Sequence, residues 1–387
     1  MPLTLKNFNK TTPPSKTFTI SWTEQSNMSS WWTYSDDATW LTAGSTSFDE
    51  FFWYSWVKLA TDWTETAEIT QLASWWYGKL DITQLGTLTS WDNVMIKFPV
   101  RWIKMTKSWS VVTLSITDGI GRESEWFQYY AFQNTGDIEA NASTTVATKP
   151  LYLWTYLSYT SSNVLKSWSW KTPQWNYTIW NAITYAWNNW TWWTITWWYQ
   201  RMYVNALYMM KYGNPNSQSV VWGWYVWMSS QQTTWYTNSQ TNATYWTNYY
   251  DKQVKLFWLE DWWGNQYQWV WWMFSDGSKN IYTALHDFTN STSTSQSQYK
   301  IAGYLATSWW CISSILGTNK WLFCPNDTVS NSSFNTYYCD NTYVSATCFS
   351  VAGGSYSSSS YAGTFLLHNN YANNEAYSSI GSRIMYL

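Results

Sequence analysis

The sequence is poor in charge and in glycine. Charged residues make up 11% of its 387 residues, whereas a typical domain carries about 25%. Only 16 residues are glycine, well below the usual share of about 7%. Because the formal net charge is only −2, nothing in the composition favours a polyanion such as nucleic acid as a partner.

Long apolar segments are missing as well. No stretch approaches 18 consecutive apolar residues, so we expect no transmembrane helix and no direct membrane insertion. The first residues, MPLTLKNFNKTTPPSK, contain no apolar segment after their basic residues. A conventional signal peptide is therefore not expected.

Cysteine and histidine are scarce. The sequence contains Cys311, Cys324, Cys339, Cys348, His286 and His368. No two cysteines form a C-x-x-C pair and none has a neighbouring histidine, so their spacing predicts no zinc or copper site. No G-x-S-x-G or D-x-D-x-D motif predicts a nucleophile or a calcium loop. We therefore predict no metal, no cofactor and no enzymatic activity. The cysteines are compatible with two disulfides or with free thiols.

Tryptophan is present in large excess, with 38 residues. Many lie among turn-forming residues, as in TSWDN around Trp91, TKSWSVV around Trp109 and KSWSWKTPQW around Trp170. Turns often need a positive φ, which glycine adopts and a bulky residue resists. We therefore predict that most of these positions are glycine, encoded by UGA codons that were read as tryptophan. A truly tryptophan-rich protein is the alternative, and Trp263 and Trp269 are expected to be genuine.

One segment then resembles a known signature. With glycine at Trp258, Trp271 and Trp272, the segment FWLEDWWGNQYQWVWW from Phe257 reads FGLEDWWGNQYQWVGG. It resembles the G-L-E-D-x-W-G-N-x-x-E-W-V-D-G signature of the C-type-lectin-like domain of the formylglycine-generating-enzyme type. The residues that match as written are Leu259, Glu260, Asp261, Trp263, Gly264, Asn265, Trp269 and Val270. Gln268 replaces the usual glutamate, and the resemblance implies that Glu260 and Asp261 are buried hydrogen-bond acceptors.

Other segments agree with this family in the same order. They are DNVMIKFPVRWIKM from Asp92, WWYQRMYVNALYMMKYGNPNSQSVVWG from Trp197, and the ending VAGGSYSSSSYAGTFLLHNNYANNEAYSSIGSRIMYL. The ending is typical of phage receptor-binding tail proteins and of variable proteins of diversity-generating retroelements. The resemblance implies an α+β, C-type-lectin-like fold with much irregular structure over residues 90–387. A β-rich module for attachment or oligomerisation is expected to precede it, over residues 1–89.

Local patterns predict a few elements directly. Residues 202–210, MYVNALYMM, are good helix formers, and the Gly-Asn-Pro sequence from Gly213 is a strong stop. Residues 94–98 and 111–116 have the β-branched and apolar composition of short strands.

The last residues differ in composition from the rest. No tryptophan follows Trp321, and the tail is rich in Ser, Asn and Tyr, the set produced when asparagine codons are mutagenised. Tyrosine offers large contact area, while Ser and Asn offer adaptable hydrogen bonds. The resemblance implies a variable region and a ligand-binding surface over about residues 322–387. An ordinary polar tail is the alternative.

Within that region, Phe365, Ile380 and Arg383 resemble fixed scaffold positions, and the residues between them are expected to alternate between core and surface. The residues expected on the binding surface are Tyr356, Ser358, Ser360, Thr364, Leu366, His368, Asn370, Tyr371, Asn373, Asn374, Tyr377 and Ser378.

The function implied by the resemblance is ligand or receptor binding. The expected partner is a protein or glycan receptor on a cell surface, and the expected location is a virion tail or a cell surface. A homotrimer is compatible with both locations. The alternative is a formylglycine-generating-type oxidase or a related enzyme, which would need a copper-binding cysteine pair.

Overall fold

A computed structural model describes residues 15–386, apart from segments 26–31, 71–86, 120–124, 133–149, 285–298, 305–309 and 331–337 and positions 46, 53, 61, 63, 191, 192, 241, 339 and 346. His286 and Cys339 therefore lie outside the described residues. The described strands and helices are, in chain order, β1 (Thr17–Thr23), β2 (Trp32–Asp36), α1 (Ser47–Phe52), β3 (Ser55–Ala60), β4 (Glu65–Thr70), β5 (Asp92–Phe98), β6 (Trp102–Ser108), β7 (Val111–Thr117), β8 (Leu151–Trp154), β9 (Tyr159–Ser161), β10 (Val164–Lys166), α2 (Ile179–Trp187), β11 (Trp193–Ile195), α3 (Trp198–Tyr212), α4 (Ser217–Val220), β12 (Lys255–Leu256), β13 (Leu259–Glu260), β14 (Tyr267–Ser275), β15 (Asn280–Ala284), β16 (Tyr299–Tyr304), β17 (Trp310–Ile315), β18 (Pro325–Val329), β19 (Asn341–Val344), β20 (Cys348–Ala352), β21 (Leu367–Tyr371), β22 (Ile380–Gly381) and β23 (Ile384–Tyr386).

The predicted α+β fold class is wrong, because the structure is mostly β-sheet, with 39% strand and 13% helix. The physical reason lies in the residues. Thr, Val, Ile and aromatic side chains fit a pleated surface, and they fill strands such as β1 (TFTISWT) and β7 (VVTLSIT). The resemblance covered segments across residues 90–387 and implied much irregular structure there, but it gave no account of the many strands that the structure forms in this range.

Three large sheets organise the described part of the chain. A nine-stranded sheet has the order β16-β15-β14-β20-β21-β19-β17-β18, with β22 paired to β14. A six-stranded sheet has the order β11-β23-β8-β5-β3-β4, and a four-stranded sheet has the order β2-β1-β7-β6. Most neighbouring strands are antiparallel, but β19 pairs with β21, and β14 with β22, in parallel.

Strands from the first 89 residues share sheets with later strands. In the four-stranded sheet β1 pairs with β7, and Ile20 lies opposite Leu114. In the six-stranded sheet β3 pairs with β5, and Val57 lies opposite Met95. Ile20 and Val57 are fully buried, and strands that follow residue 90 supply one of the two neighbouring strands of each. The predicted boundary between residues 89 and 90 therefore cuts across two sheets.

Helix α3 lies at the centre of the core. The predicted helix over residues 202–210 is confirmed, and it extends over Trp198–Tyr212, with Gly213 at φ 62° as its C-cap. All of its residues are buried. Near its end, Lys211 forms a salt bridge of 2.7 Å with Asp49 of α1, and both side chains are buried. The predicted strands over residues 94–98 and 111–116 are also confirmed, as parts of β5 and β7.

Several tryptophans have the backbone conformation that glycine favours. Their φ angles lie between 57° and 69°, in the left-handed region; they are Trp109, Trp126, Trp170, Trp258 and Trp272. Trp109 is the first of the two residues that connect β6 to β7, which is where a tight hairpin prefers glycine. Its side chain is 95% exposed, so almost no packing offsets the strain of this conformation.

We expect Trp109→Gly to raise the free energy of unfolding by about 1–2 kcal/mol, because the left-handed region is strained for any residue with a Cβ. Urea unfolding measures this change. Trp91→Gly is the matched control, since Trp91 is also exposed but lacks a positive φ; glycine there relieves no strain. Peptide masses of the protein from its natural cells test the residue identity directly. Genuine tryptophan at residue 109, with no gain of stability in Trp109→Gly, would contradict the glycine prediction.

Candidate ligand-binding surface

The C-terminal strands are anchored by one buried arginine. Arg383 lies between β22 and β23 and is fully buried. Its terminal nitrogens donate to the backbone carbonyls of Trp154, Thr155, Glu260 and Asp261. Its Nε donates to the Gln268 side-chain oxygen at 3.3 Å. One side chain therefore ties the C-terminal segment to β8, β13 and β14, as expected for a fixed scaffold position.

The two carboxylates of the signature segment are buried acceptors, as predicted. Glu260 accepts hydrogen bonds from the backbone N–H and the hydroxyl of Thr237, at 3.0 and 2.6 Å. Asp261 accepts from the side-chain amides of Asn265 and Gln253, at 2.7 and 2.6 Å. Burial raises the pKa of both carboxyl groups. These bonds hold neighbouring loops in place, so the pair has a structural role.

Asp340 holds the loop that precedes β21. The carboxylate is buried and accepts from the backbone N–H of Phe365 at 2.6 Å. A Cβ at Gly363 would come within 1.8 Å of Asp340 Oδ1, so the close approach requires glycine. The Thr364 hydroxyl donates to Asn205 of α3 at 2.6 Å. These hydrogen bonds hold the loop against helix α3.

The structure divides the predicted surface residues by burial. The exposed ones are Asn373, Asn374, Tyr377 and Ser378, the half-buried ones are Tyr356, Ser358, Ser360, Asn370 and Tyr371, and the buried ones are Thr364, Leu366 and His368. Since a buried side chain does not reach a ligand at the surface, the last three residues are removed from the predicted binding surface.

The predicted alternation of core and surface positions is wrong, for a structural reason. Strand β21 lies inside the nine-stranded sheet between β20 and β19, and Leu367, His368 and Asn369 are all buried. A strand covered on both faces shows no alternation of core and surface. Further upstream, a single 3-10 turn spans Ser359–Tyr361 and breaks the two-residue period.

A row of tyrosine rings connects the remaining surface residues. The ring centroids of Tyr267 and Tyr371 are 6.3 Å apart, and those of Tyr371 and Tyr377 are 5.3 Å apart. The Ser358 hydroxyl donates to the Tyr267 oxygen at 3.0 Å, and the Tyr377 hydroxyl donates to Glu375 at 3.1 Å. We call these five residues the tyrosine face; Tyr267 is itself buried and supports the ring of Tyr371 from within. It joins the loop of residues 356–361 to the segment of residues 370–378.

Sequence reasoning missed residues in and beside the tyrosine face. Tyr361 is 49% exposed and belongs to the same Ser- and Tyr-rich stretch, so composition could have identified it. Tyr249 is 67% exposed and lies far upstream. Its loop is connected through Val226, which donates to the Tyr250 carbonyl and accepts from the N–H of Ser359. No local pattern could have linked Tyr249 to this surface.

Positive charge is missing from the C-terminal segment. Residues 321–382 contain no lysine and no arginine. Their acidic residues are Asp327, which is exposed, Asp340, which is buried, and Glu375, which lies on the tyrosine face. The segment therefore supplies aromatic rings, hydroxyls, amides and a carboxylate to a ligand, but no cation.

The described cysteines are poor nucleophiles. Cys311, Cys324 and Cys348 are buried. Burial raises the pKa of all three thiols, to about 11 for Cys311 and Cys348. A raised pKa leaves little thiolate at neutral pH, and the thiolate is the reactive and metal-binding form. In the described segments, no group of three or more His, Cys, Asp or Glu side chains is arranged to hold a metal ion.

Comparison with known proteins assigns no family to this chain. No protein-family model and no curated protein matches the sequence. The resemblance to C-type-lectin-like domains therefore stays a prediction, and the surface is described by its own geometry. No helix within the described residues has the length and apolar character needed to cross a membrane.

We expect Arg383→Lys to lower the free energy of unfolding by at least about 3 kcal/mol, in the range measured when buried charged networks lose a partner. A lysine ammonium carries three donors at one point, whereas the guanidinium spreads five donors over a plane. Lysine therefore leaves several of the carbonyls around Arg383 without a donor. Urea unfolding measures the change. A loss below about 1 kcal/mol would show that the hydrogen bonds of the Arg383 guanidinium are not critical for stability.

His368 predicts a pH dependence of stability. Burial lowers the pKa of His368 from 6.5 to about 3, so the unfolded chain takes up its proton more readily than the folded protein. The stability that His368 contributes above pH 6.5 is lost as the pH falls towards about 3, by up to about 1.4 kcal/mol per pH unit. Unfolding of wild type and His368→Gln, compared from about pH 7 to about pH 4.5, measures this. Parallel pH profiles for the two proteins would refute the expectation.

Proposed function

We propose that this protein binds a receptor, a protein or a glycan, on a cell surface, and that the tyrosine face makes the contact. The observation that carries the proposal is the exposed ring of Tyr377, which packs on half-buried Tyr371 and through it on buried Tyr267, in a segment with exposed Asn and Ser side chains. Tyrosine supplies large, rigid contact area at low rotamer entropy, and short polar side chains adapt their hydrogen bonds to the ligand.

The division between scaffold and surface supports the same proposal. Asp340, Ile380 and Arg383 are buried, whereas Asn373 and Tyr377 are exposed between them along the chain. Exchange of the exposed residues leaves the buried hydrogen bonds intact. Such a surface suits either a target of a diversity-generating retroelement, with its variable region within residues 322–387, or a phage tail receptor-binding protein.

Location and assembly follow from this proposal. We propose a virion tail or a cell surface as its location, where its ligand is accessible, and a homotrimer as the assembly of a tail protein. The oxidase alternative is disfavoured by the chemistry of the described cysteines. Raised thiol pKa values at Cys311, Cys324 and Cys348 oppose the thiolate chemistry that it needs.

We expect Tyr377→Ala to weaken binding to receptor-bearing cells by about tenfold or more, because exposed aromatic residues are frequent hot spots. Flow cytometry with labelled protein on a panel of bacterial and animal cells measures this. Thr364→Ala is the control: it removes a buried hydrogen bond to Asn205, so it should reduce stability and leave affinity unchanged. The opposite pattern, with affinity lost only in Thr364→Ala, would refute the proposed surface.

A further inference from the structure

The tyrosine face presents one ordered aromatic ring to solvent. Tyr377 is 45% exposed, yet its ring contacts Tyr371 at an interplanar angle of 63° and its hydroxyl is bonded to Glu375. A ring that is already held in place loses little entropy when a ligand packs on it. Its π surface is electron-rich, and the C–H bonds on one side of a sugar ring are suitable partners for such a surface.

Hydrogen-bonding groups that suit sugar hydroxyls lie close to that ring in the chain. Glu375 accepts from the Ala372 N–H at 2.6 Å and from Tyr377, and a carboxylate has capacity for further donors. Asn373 and Asn374 are exposed on the same turn, and each amide both donates and accepts. Sugar hydroxyls need this mixture of acceptors and donors at the edge of a stacked ring.

The size of the apolar contact favours a sugar over a protein. Within residues 367–386, all of which are described, Tyr377 is the only exposed large apolar side chain, and the exposed Tyr361 and Tyr249 beside the tyrosine face lie on separate loops. A stable protein interface buries about 800 Å² on each partner and needs several apolar anchors near its centre. A single ring bordered by amides and a carboxylate matches one sugar residue better.

Charge restricts the type of sugar. Residues 321–382 contain no lysine or arginine, and Glu375 contributes negative charge to the tyrosine face itself. An anionic glycan would meet an unpaired like charge there and find no cation within the segment, and such a mismatch disfavours binding. An uncharged glycan meets neither problem.

We propose that the tyrosine face binds an uncharged glycan and stacks one of its sugar rings on Tyr377, with Glu375 and the neighbouring asparagines bonded to its hydroxyls. This inference rests on the proposed receptor-binding function and narrows its ligand to one class. The glycan is bound non-covalently, and no covalent bond is made or broken.

The first experiment uses the full-length protein and cells that it binds. The cells are treated either with periodate, which cleaves the vicinal diols of sugars, or with proteinase K. We expect periodate treatment to abolish binding and proteinase K treatment to leave binding unchanged. Loss with proteinase K alone would overturn the glycan inference and leave the proposed function standing. Failure to bind any cell of the panel would count against both.

The second experiment tests the charge and the ring. Soluble uncharged mannan, galactan and dextran are compared with anionic heparin and alginate as competitors. We expect competition by at least one uncharged polymer, none by the anionic ones, and affinity unchanged at about 0.5 M salt, where exposed ion pairs are screened. Competition by heparin or alginate, or loss of binding in salt, would overturn the inference.

Variants of Tyr377 test whether the sugar ring stacks on this side chain. We expect Tyr377→Ala to weaken glycan binding at least about tenfold, and Tyr377→Phe, which keeps the ring, to lose less than about threefold. The control is Val111→Ala, which also removes an exposed apolar side chain, at the β6–β7 hairpin. Equal binding of Tyr377→Ala and wild type would show that the sugar binds elsewhere.

Discussion

The burial of the Arg383 guanidinium constrains the backbone around the C-terminal strands. A charged group inside a protein is tolerated only when its donors are satisfied. Arg383 meets this condition with carbonyls from two separate segments and the side chain of Gln268. The backbone that follows β8 and the signature segment around Glu260 must therefore adopt fixed positions. These fixed positions in turn hold the segments that carry the tyrosine face.

Predictions that depended on local patterns succeeded. Helix formers ended by Gly213 gave α3, and apolar and β-branched stretches gave β5 and β7. The buried role of Glu260 and Asp261 was also predictable, because it came with the signature. The fold class was not, since the resemblance implied much irregular structure over residues 90–387, whereas the described part of that range forms many strands.

The surface could be predicted only in part. Composition pointed to a segment that contains exposed residues such as Asn374 and Ser378. Strand alternation then misplaced His368, because the burial of a strand's two faces depends on which parts of the fold pack against those faces. Tyr267 was missed because its contact with Tyr371 joins residues far apart in the chain. Such contacts become visible only when the sheet order is known.

The position of the last strand has a consequence for biosynthesis. β23 lies between β11 and β8 inside the six-stranded sheet, although it follows both of them by a long stretch of chain. The facing edges of β11 and β8 therefore stay unpaired until β23 has been synthesised, and unpaired edges promote aggregation. A chain whose tail is damaged by a frameshift or an early stop codon lacks this closing strand. The cell therefore has a physical basis for discarding such products before they are assembled.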